Sequence, residues 1–172
     1  MATYVALLRA VNVGGTGKLP MKELKLMCEE AGFESVRTYI ASGNVVFETG
    51  DSPDRARSIL EARLEAWAGK EVGVLIRSAR EMADLVEANP FPDEPGNRVV
   101  VLLLDHKPPH DLEGSVSGLA DEVLRPAASE VFIHYPRGQG ESKLSFGSGF
   151  GLATARNMNT VSKLAGMATG RG

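Results

Sequence analysis

Apolar residues run through positions 3–11 on both sides of a two-residue period, Val5 and Leu7 on one and Tyr4, Ala6 and Leu8 on the other. A strand apolar on both sides suits the middle of a covered sheet, and Arg9 is its one anomalous side chain. A glycine-rich connection, residues 12–18, leads to Pro20, which fits the first turn of a helix carrying Leu24, Met27, Cys28 and Ala31 on one stripe. Gly32 followed by Phe33 stops that helix. Residues 36–41 and 44–49 are β-rich runs separated by Ser42 and Gly43, read as a tight hairpin. Ser52 and Pro53 open a second helix with Ala56, Ile59, Leu60, Leu64 and Trp67 at helical spacing, closed by Gly69, and residues 72–77 supply a fourth strand.

The order β-α-β-β-α-β over residues 3–78 is the split βαβ arrangement of a ferredoxin-like unit, with both helices on one face of an antiparallel sheet. The other face needs a cover, which the second half is expected to provide. There, Ser78 and Glu81 form a capping box before Met82, Leu85 and Val86. Residues 89–97, with Pro90, Pro92, Pro95 and Gly96, make an internal boundary. Strands are expected at 99–104, 122–125 and 131–135, a poor helix at 111–119, a helical turn at 142–146 and a terminal helix at 158–168. The fold class is therefore α+β: a ferredoxin-like subdomain at 1–78 and a second, less regular ferredoxin-like subdomain at 79–172, packed together or merged into one domain.

The 172 residues, 43 % hydrophobic and 24 % charged, exclude a disordered, collagenous or coiled-coil chain. Area scaling allows about 69 % of the unfolded surface to be buried, enough for a core without metal or disulfide staples. With Cys28 as the single cysteine, and an opening apolar run too short for a signal peptide or membrane span, the expected home is the cytoplasm, away from membranes. The net charge of −3 gives no general drive toward nucleic acid. Ten basic and ten acidic residues in 1–78, against nine and twelve in 79–172, leave neither half a basic arm.

Three polar sets carry candidate chemistry. The 12–18 loop joins a strand to a helix, where amides and the positive helix end suit an anion. A phosphate-cradling P-loop ending at Gly17 and Lys18 needs Gly at 12 and Ser or Thr at 19, which are Asn12 and Leu19, and a dinucleotide fingerprint fails at Pro20. Glycines that relieve a crowded turn are the alternative reading. The second set is Ser42, Gly43 and Asn44. In a sheet ordered 4-1-3-2 it lies beside the end of the first strand, although turn chemistry alone would also place those residues there. The third is Thr154 to Thr160, dense in donors at a helix start, for which capping by Thr154 or Asn157 is the competing explanation.

Other groups add little. His106 and His110 flank Pro108 and Pro109, which forbid a helix presenting both, and no clustered third ligand completes a metal site. Cys28 lies on an apolar stripe and reads as a buried thiol. Ser142 beside Lys143 matches no nucleophile motif, no catalytic triad is present, and enzyme activity stays unassigned. Tyr4, Tyr39 and Phe47, interleaved with Arg9 and Arg37, offer a sheet face for nucleic acid, but core packing explains the sparse aromatics better.

The stretches Tyr4 to Gly15, Pro20 to Leu24, Gly32–Phe33, Val36 to Phe47, and Thr154 to Thr160 through Leu164 resemble the bacterial family known as domain of unknown function 1697. The resemblance covers nearly the whole chain. It implies an α+β fold with two ferredoxin-like parts and no established activity, cofactor or catalytic residue. Met158 stands where the family often has Trp, so no stacking ring is implied there. The family's motif segments coincide with Arg9, Asn12, Gly14 and Gly15, with Ser42, Gly43 and Asn44, and with Arg156, Asn157, Asn159 and Thr160. The leading expectation is thus a polar pocket for a small anionic or phosphate-bearing ligand, with no cofactor and no metal. A nucleic-acid module and a structural or oligomerisation unit are the alternatives.

Overall fold

Strand β1 (Ala2–Leu8) is followed by a short ribbon, β2 (Asn12–Val13) against β3 (Gly17–Lys18), then α1 (Met21–Glu30), β4 (Glu34–Thr38), β5 (Asn44–Thr49), α2 (Pro53–Ala68), β6 (Val74–Ser78) and α3 (Ala79–Glu87). This computed structural model describes residues 1–9, 12, 13, 17–40 and 43–170, with 12, 13, 17 and 18 described by their backbone. The chain forms two compact units, Met1–Asp84 with Lys163–Gly172, and Leu85–Ser162.

In the first unit the sheet order is β4-β5-β1-β6, antiparallel throughout, which is the expected 4-1-3-2 order. Tyr4, Ala6, Leu8, Val45, Phe47 and Val74 pack with Leu24, Met27 and Cys28 of α1 and Ala56, Leu60 and Leu64 of α2, so both helices lie on one face. Val5, Leu7, Val46 and Leu75 are buried as well, as a strand apolar on both sides requires. The caps follow the sequence. Ser52 Oγ accepts from Arg55 N at 3.2 Å, Pro53 opens α2, and Gly69 closes it in the left-handed region at φ +74. Ser78 and Glu81 form the reciprocal capping box, at 2.8 and 3.0 Å.

Two local expectations change here. The first strand's ladder ends at Leu8, and Asn12 and Val13 pair instead with Lys18 and Gly17. The connection between β4 and β5 spans residues 39–43 rather than a two-residue hairpin. Tyr39 N donates to Asn44 O at 3.1 Å and Ile40 takes a positive φ of 48, so the turn starts before Gly43. Ser35, at φ 51, sits at a register shift between Glu34 and Arg37 that bends β4. Arg37 Nη2 donates to Met167 O at 2.8 Å, engaging the chain's last helix.

The second unit comprises β7 (Val99–Leu104), β8 (Val116–Ser117), β9 (Val123–Pro126), β10 (Glu130–His134), β11 (Ser145–Phe146), β12 (Ala153–Asn157) and the start of α4 (Met158–Thr169). Its four-stranded sheet is ordered β12-β7-β10-β9, again antiparallel and again 4-1-3-2. The echo of the first half is therefore topological. What differs is the pair of crossovers, where short 3-10 turns and a ribbon, β8 against β11, stand in place of two helices.

The expected helix at 111–119 reduces to a 3-10 turn at Glu113–Ser115. Asp111 captures the backbone there: its Oδ1 accepts from Gly114 N at 3.1 Å and its carbonyl accepts from Ser115 Oγ at 2.6 Å, bonds that compete with a helix. The expected helical turn at 142–146 is extended. Ser142 Oγ donates to Glu122 and accepts from Leu144 N at 3.1 Å, which breaks the turn before β11. Leu112, Val116, Leu144 and Phe146 from these crossovers pack on the Val100, Leu102, Val131 and Ile133 face of the sheet.

Candidate functional site

The register of β1 sets the first-unit geometry. Leu7 faces Asn44 across the β1–β5 ladder, Leu8 N donates to Gly43 O at 2.9 Å, and Arg9 N donates to Gly73 O at 2.9 Å. The chain is thus pinned to a neighbour on each side where it leaves the sheet, and Arg9 is exposed just beyond. Gly43 has φ +80, and a β-carbon there would come within 3.0 Å of Leu8 Cβ, so a glycine lets the loop lie against the strand. Leu8 and Gly43 therefore lie side by side at one end of the sheet with Arg9 just beyond, whereas the register was expected to bring the Asn12 end of the first strand beside Asn44. Asn44 is 0 % exposed, and its Nδ2 donates to Tyr39 O at 3.1 Å, tying the start of β5 to the residue that follows β4. Asn12 is placed by its backbone in the β2–β3 ribbon, while Gly14, Gly15 and Ser42 lie outside the described residues.

The third set belongs to β12 and α4 in the second unit. Asn157 is the helix cap, its Oδ1 accepting from Thr160 N at 2.9 Å, which settles the choice between Asn157 and Thr154 at this position. Arg156 is 8 % exposed and shares a face with Val101 by register. Its Nη1 donates to Thr154 Oγ1 at 2.6 Å and to Ala155 O at 2.9 Å. Burial lowers its pKa to about 10, so it remains a cation at neutral pH. Asn159 is exposed, and its side-chain oxygen lies so near Gly96 that a β-carbon at position 96 would overlap it.

Tyr4 and Phe47 are buried in the helix-facing core, Phe47 stacked on Phe33 with centroids 4.4 Å apart. Two of the three rings considered for nucleic-acid stacking are therefore turned into the protein. Cys28 is buried, and desolvation pushes its thiol up to about 12, the inert state read from its stripe. Among the described residues no three His, Cys, Asp or Glu side chains gather as metal ligands, and no helix is long and apolar enough to cross a membrane.

Two features were not legible in the sequence. One is a cleft in the second unit, around Tyr135 and Glu122. The other is the role of His106, whose Nδ1 lies 2.7 Å from Asp105 Oδ1 and whose ring lies against Gly151. The Asp105 hydrogen bond, helped by one between the ring and the Gly149 backbone, raises the imidazole pKa above its ordinary value. A raised folded-state pKa means that the contribution to stability is complete below the ordinary histidine value and is lost as pH rises through the raised one. We expect the His106 ring proton signal to titrate above about 6.5, and Asp105→Asn to bring the midpoint back down. An unchanged midpoint in Asp105→Asn would remove the pairing as the cause.

The family model described as "Protein of unknown function (DUF1697)" matches residues 1–132. No curated protein matches the chain. Among solved structures, the conserved bacterial protein SP0830 from Streptococcus pneumoniae is 24 % identical, with 97 % of this chain and 98 % of that chain covered and a TM-score of 0.73. At that identity the likeness is one of fold.

Proposed function

The chain belongs to the DUF1697 family of proteins of unknown function, and from that premise we propose that it binds a small phosphate-bearing anion at the end of β1, with Arg9 as the principal cationic contact. The reading rests on Arg9. Its side chain is exposed and makes no ion pair or hydrogen bond among the described residues, while its backbone is pinned through its own amide and that of Leu8. A cation on a fixed backbone loses less freedom on binding than one on a loose loop. Gly43 lies beside Leu8 at the same end of the sheet, and the neighbouring sequence carries Asn12, Gly14, Gly15 and Ser42, residue types suited to phosphate oxygens. Asn44 acts one step removed, through its amide bond to Tyr39 O. Arg156, Asn157, Asn159 and Thr160 form a polar set of their own in the second unit, tested separately by Arg156→Ala.

Calorimetric titration with inorganic pyrophosphate at low salt tests this. A charge-assisted hydrogen bond is worth about 1.5–3 kcal/mol, so Arg9→Ala is expected to weaken binding by about tenfold or more, with melting unchanged because the side chain is exposed. Added salt should weaken binding to the parent protein as well. No heat with the parent, or equal affinity in Arg9→Ala, would overturn the reading.

A further inference from the structure

The loop that leaves β7, residues 105–109, packs against the turn at Ser148–Phe150 that leads into β12. Two contacts fasten them. The His106 ring stands so close to Gly151 that a β-carbon there would come within 2.8 Å of its Cε1, and Pro109 Cγ lies 4.0 Å from the β-carbon position of Gly149. Gly151 takes φ +59, so a glycine admits the ring both by its backbone angle and by its missing side chain. The turn itself is closed by two backbone bonds, Phe150 N donating to Gly147 O at 3.2 Å and Gly151 N donating to Ser148 O at 3.1 Å.

The two ring nitrogens decide what this contact can do. Asp105 Oδ1, 2.7 Å from Nδ1, is a carboxylate oxygen and can only accept, so Nδ1 carries a hydrogen. A neutral imidazole has no second N–H to offer. The bond between the ring and the Gly149 backbone favours the charged ring, as an accepting carbonyl does. Donating to both partners at once therefore needs the imidazolium. The surroundings add no competing charge. Gly147 to Gly151, Ala153 and Pro109 carry no titratable side chain, and on the ring's own loop Lys107 and His110 are exposed. Among the described residues the charge that acts on the ring is that of Asp105.

We propose that His106 is a proton-operated latch: the imidazolium ties the end of β7 to the 148–151 turn, and loss of one proton frees the turn and the start of β12. The sign follows from the bonds, so the turn is held below the His106 midpoint and loosened above it. β12 is an edge strand paired with β7 alone, which leaves the interior strands in place when its entry loosens. The latch is separate from the end of β1 and does not depend on phosphate binding there.

Hydrogen exchange of the full chain across pH tests this, with each rate divided by the intrinsic rate at that pH so that protection alone is compared. Protection of the Phe150 and Gly151 amides is expected to fall severalfold as pH rises through the His106 midpoint, read from its ring signal in the same samples, while β7 and β10 keep theirs. His106→Ala, at an exposed position, is expected to leave those two amides at the low protection of the alkaline parent at every pH, with β7 and β10 again unchanged. Asp105→Asn should move the fall to lower pH together with the ring midpoint. The inference is overturned if protection at Phe150 and Gly151 is level across that midpoint, if His106→Ala protects them as the acidic parent does, or if the fall stays in place when Asp105→Asn moves the midpoint.

Discussion

Replacing Phe47 with alanine is expected to lower the free energy of unfolding by about 3–5 kcal/mol, the range for deleting a buried phenylalanine. Phe47 lies in an interior strand and is 0 % exposed. It stacks on Phe33 at an interplanar angle of 9° and tilts against Tyr4 at a centroid separation of 6.2 Å. Removing the ring takes one partner from both aromatic contacts and leaves a cavity between the sheet and its two helices. Stabilities of single domains run at about 5–15 kcal/mol, so this one change could consume a third or more of the total. Urea unfolding followed by circular dichroism measures it. A loss below about 1 kcal/mol would mean that the ring is not enclosed as described.

The second large effect is expected at Gly118, just after β8. Its φ is +73, and a β-carbon there would overlap the Lys143 carbonyl oxygen, two residues before β11 begins. Gly118→Ala therefore combines a left-handed backbone with a backbone collision that no side-chain rotation relieves, at about 2–4 kcal/mol. The damage should be local in character. Hydrogen exchange should quicken in the β8–β11 ribbon before it does in β7 or β10, because those strands are held by their own ladders. Gly50→Ala is the control, since nothing lies within 4 Å of a β-carbon there. Equal stability of the Gly118 and Gly50 variants would contradict the close approach of the two crossovers.

The first unit was legible because its signals agree at every level. A two-sided apolar run, two helical stripes, a serine–proline start and a glycine stop all specify one topology, and the 4-1-3-2 order follows from it. The second unit kept its sheet legible through the apolar run 99–104, but not its crossovers. Leu112, Val116, Leu144 and Phe146 reach the core from segments without helical period. Asp111 and Ser142 bind backbone groups in ways that a pattern of apolar positions does not record. The same distinction holds for the sites. The nearness of the first strand's end to Gly43 and Asn44 follows from strand register. The pairing of Glu122 with Ser142 joins residues twenty apart across two intervening strands and leaves no mark in local sequence.

Small polar residues at a hairpin tip suggested ligand contact, whereas the buried Asn44 amide spends a donor on Tyr39 O. Arg9 carries the opposite character, with its backbone fixed and its charge facing solvent. The proposed division of labour is that Asn44 and Gly43 shape the end of the sheet and Arg9 meets the ligand.

The most direct measurement is the change in backbone amide signals as inorganic phosphate is titrated into the parent protein, against a chloride series of matched ionic strength. The account predicts saturable shifts at Leu8, Arg9 and Gly43, absent in Arg9→Ala. Shifts no larger than those with chloride, or shifts that bypass these three amides, would contradict it.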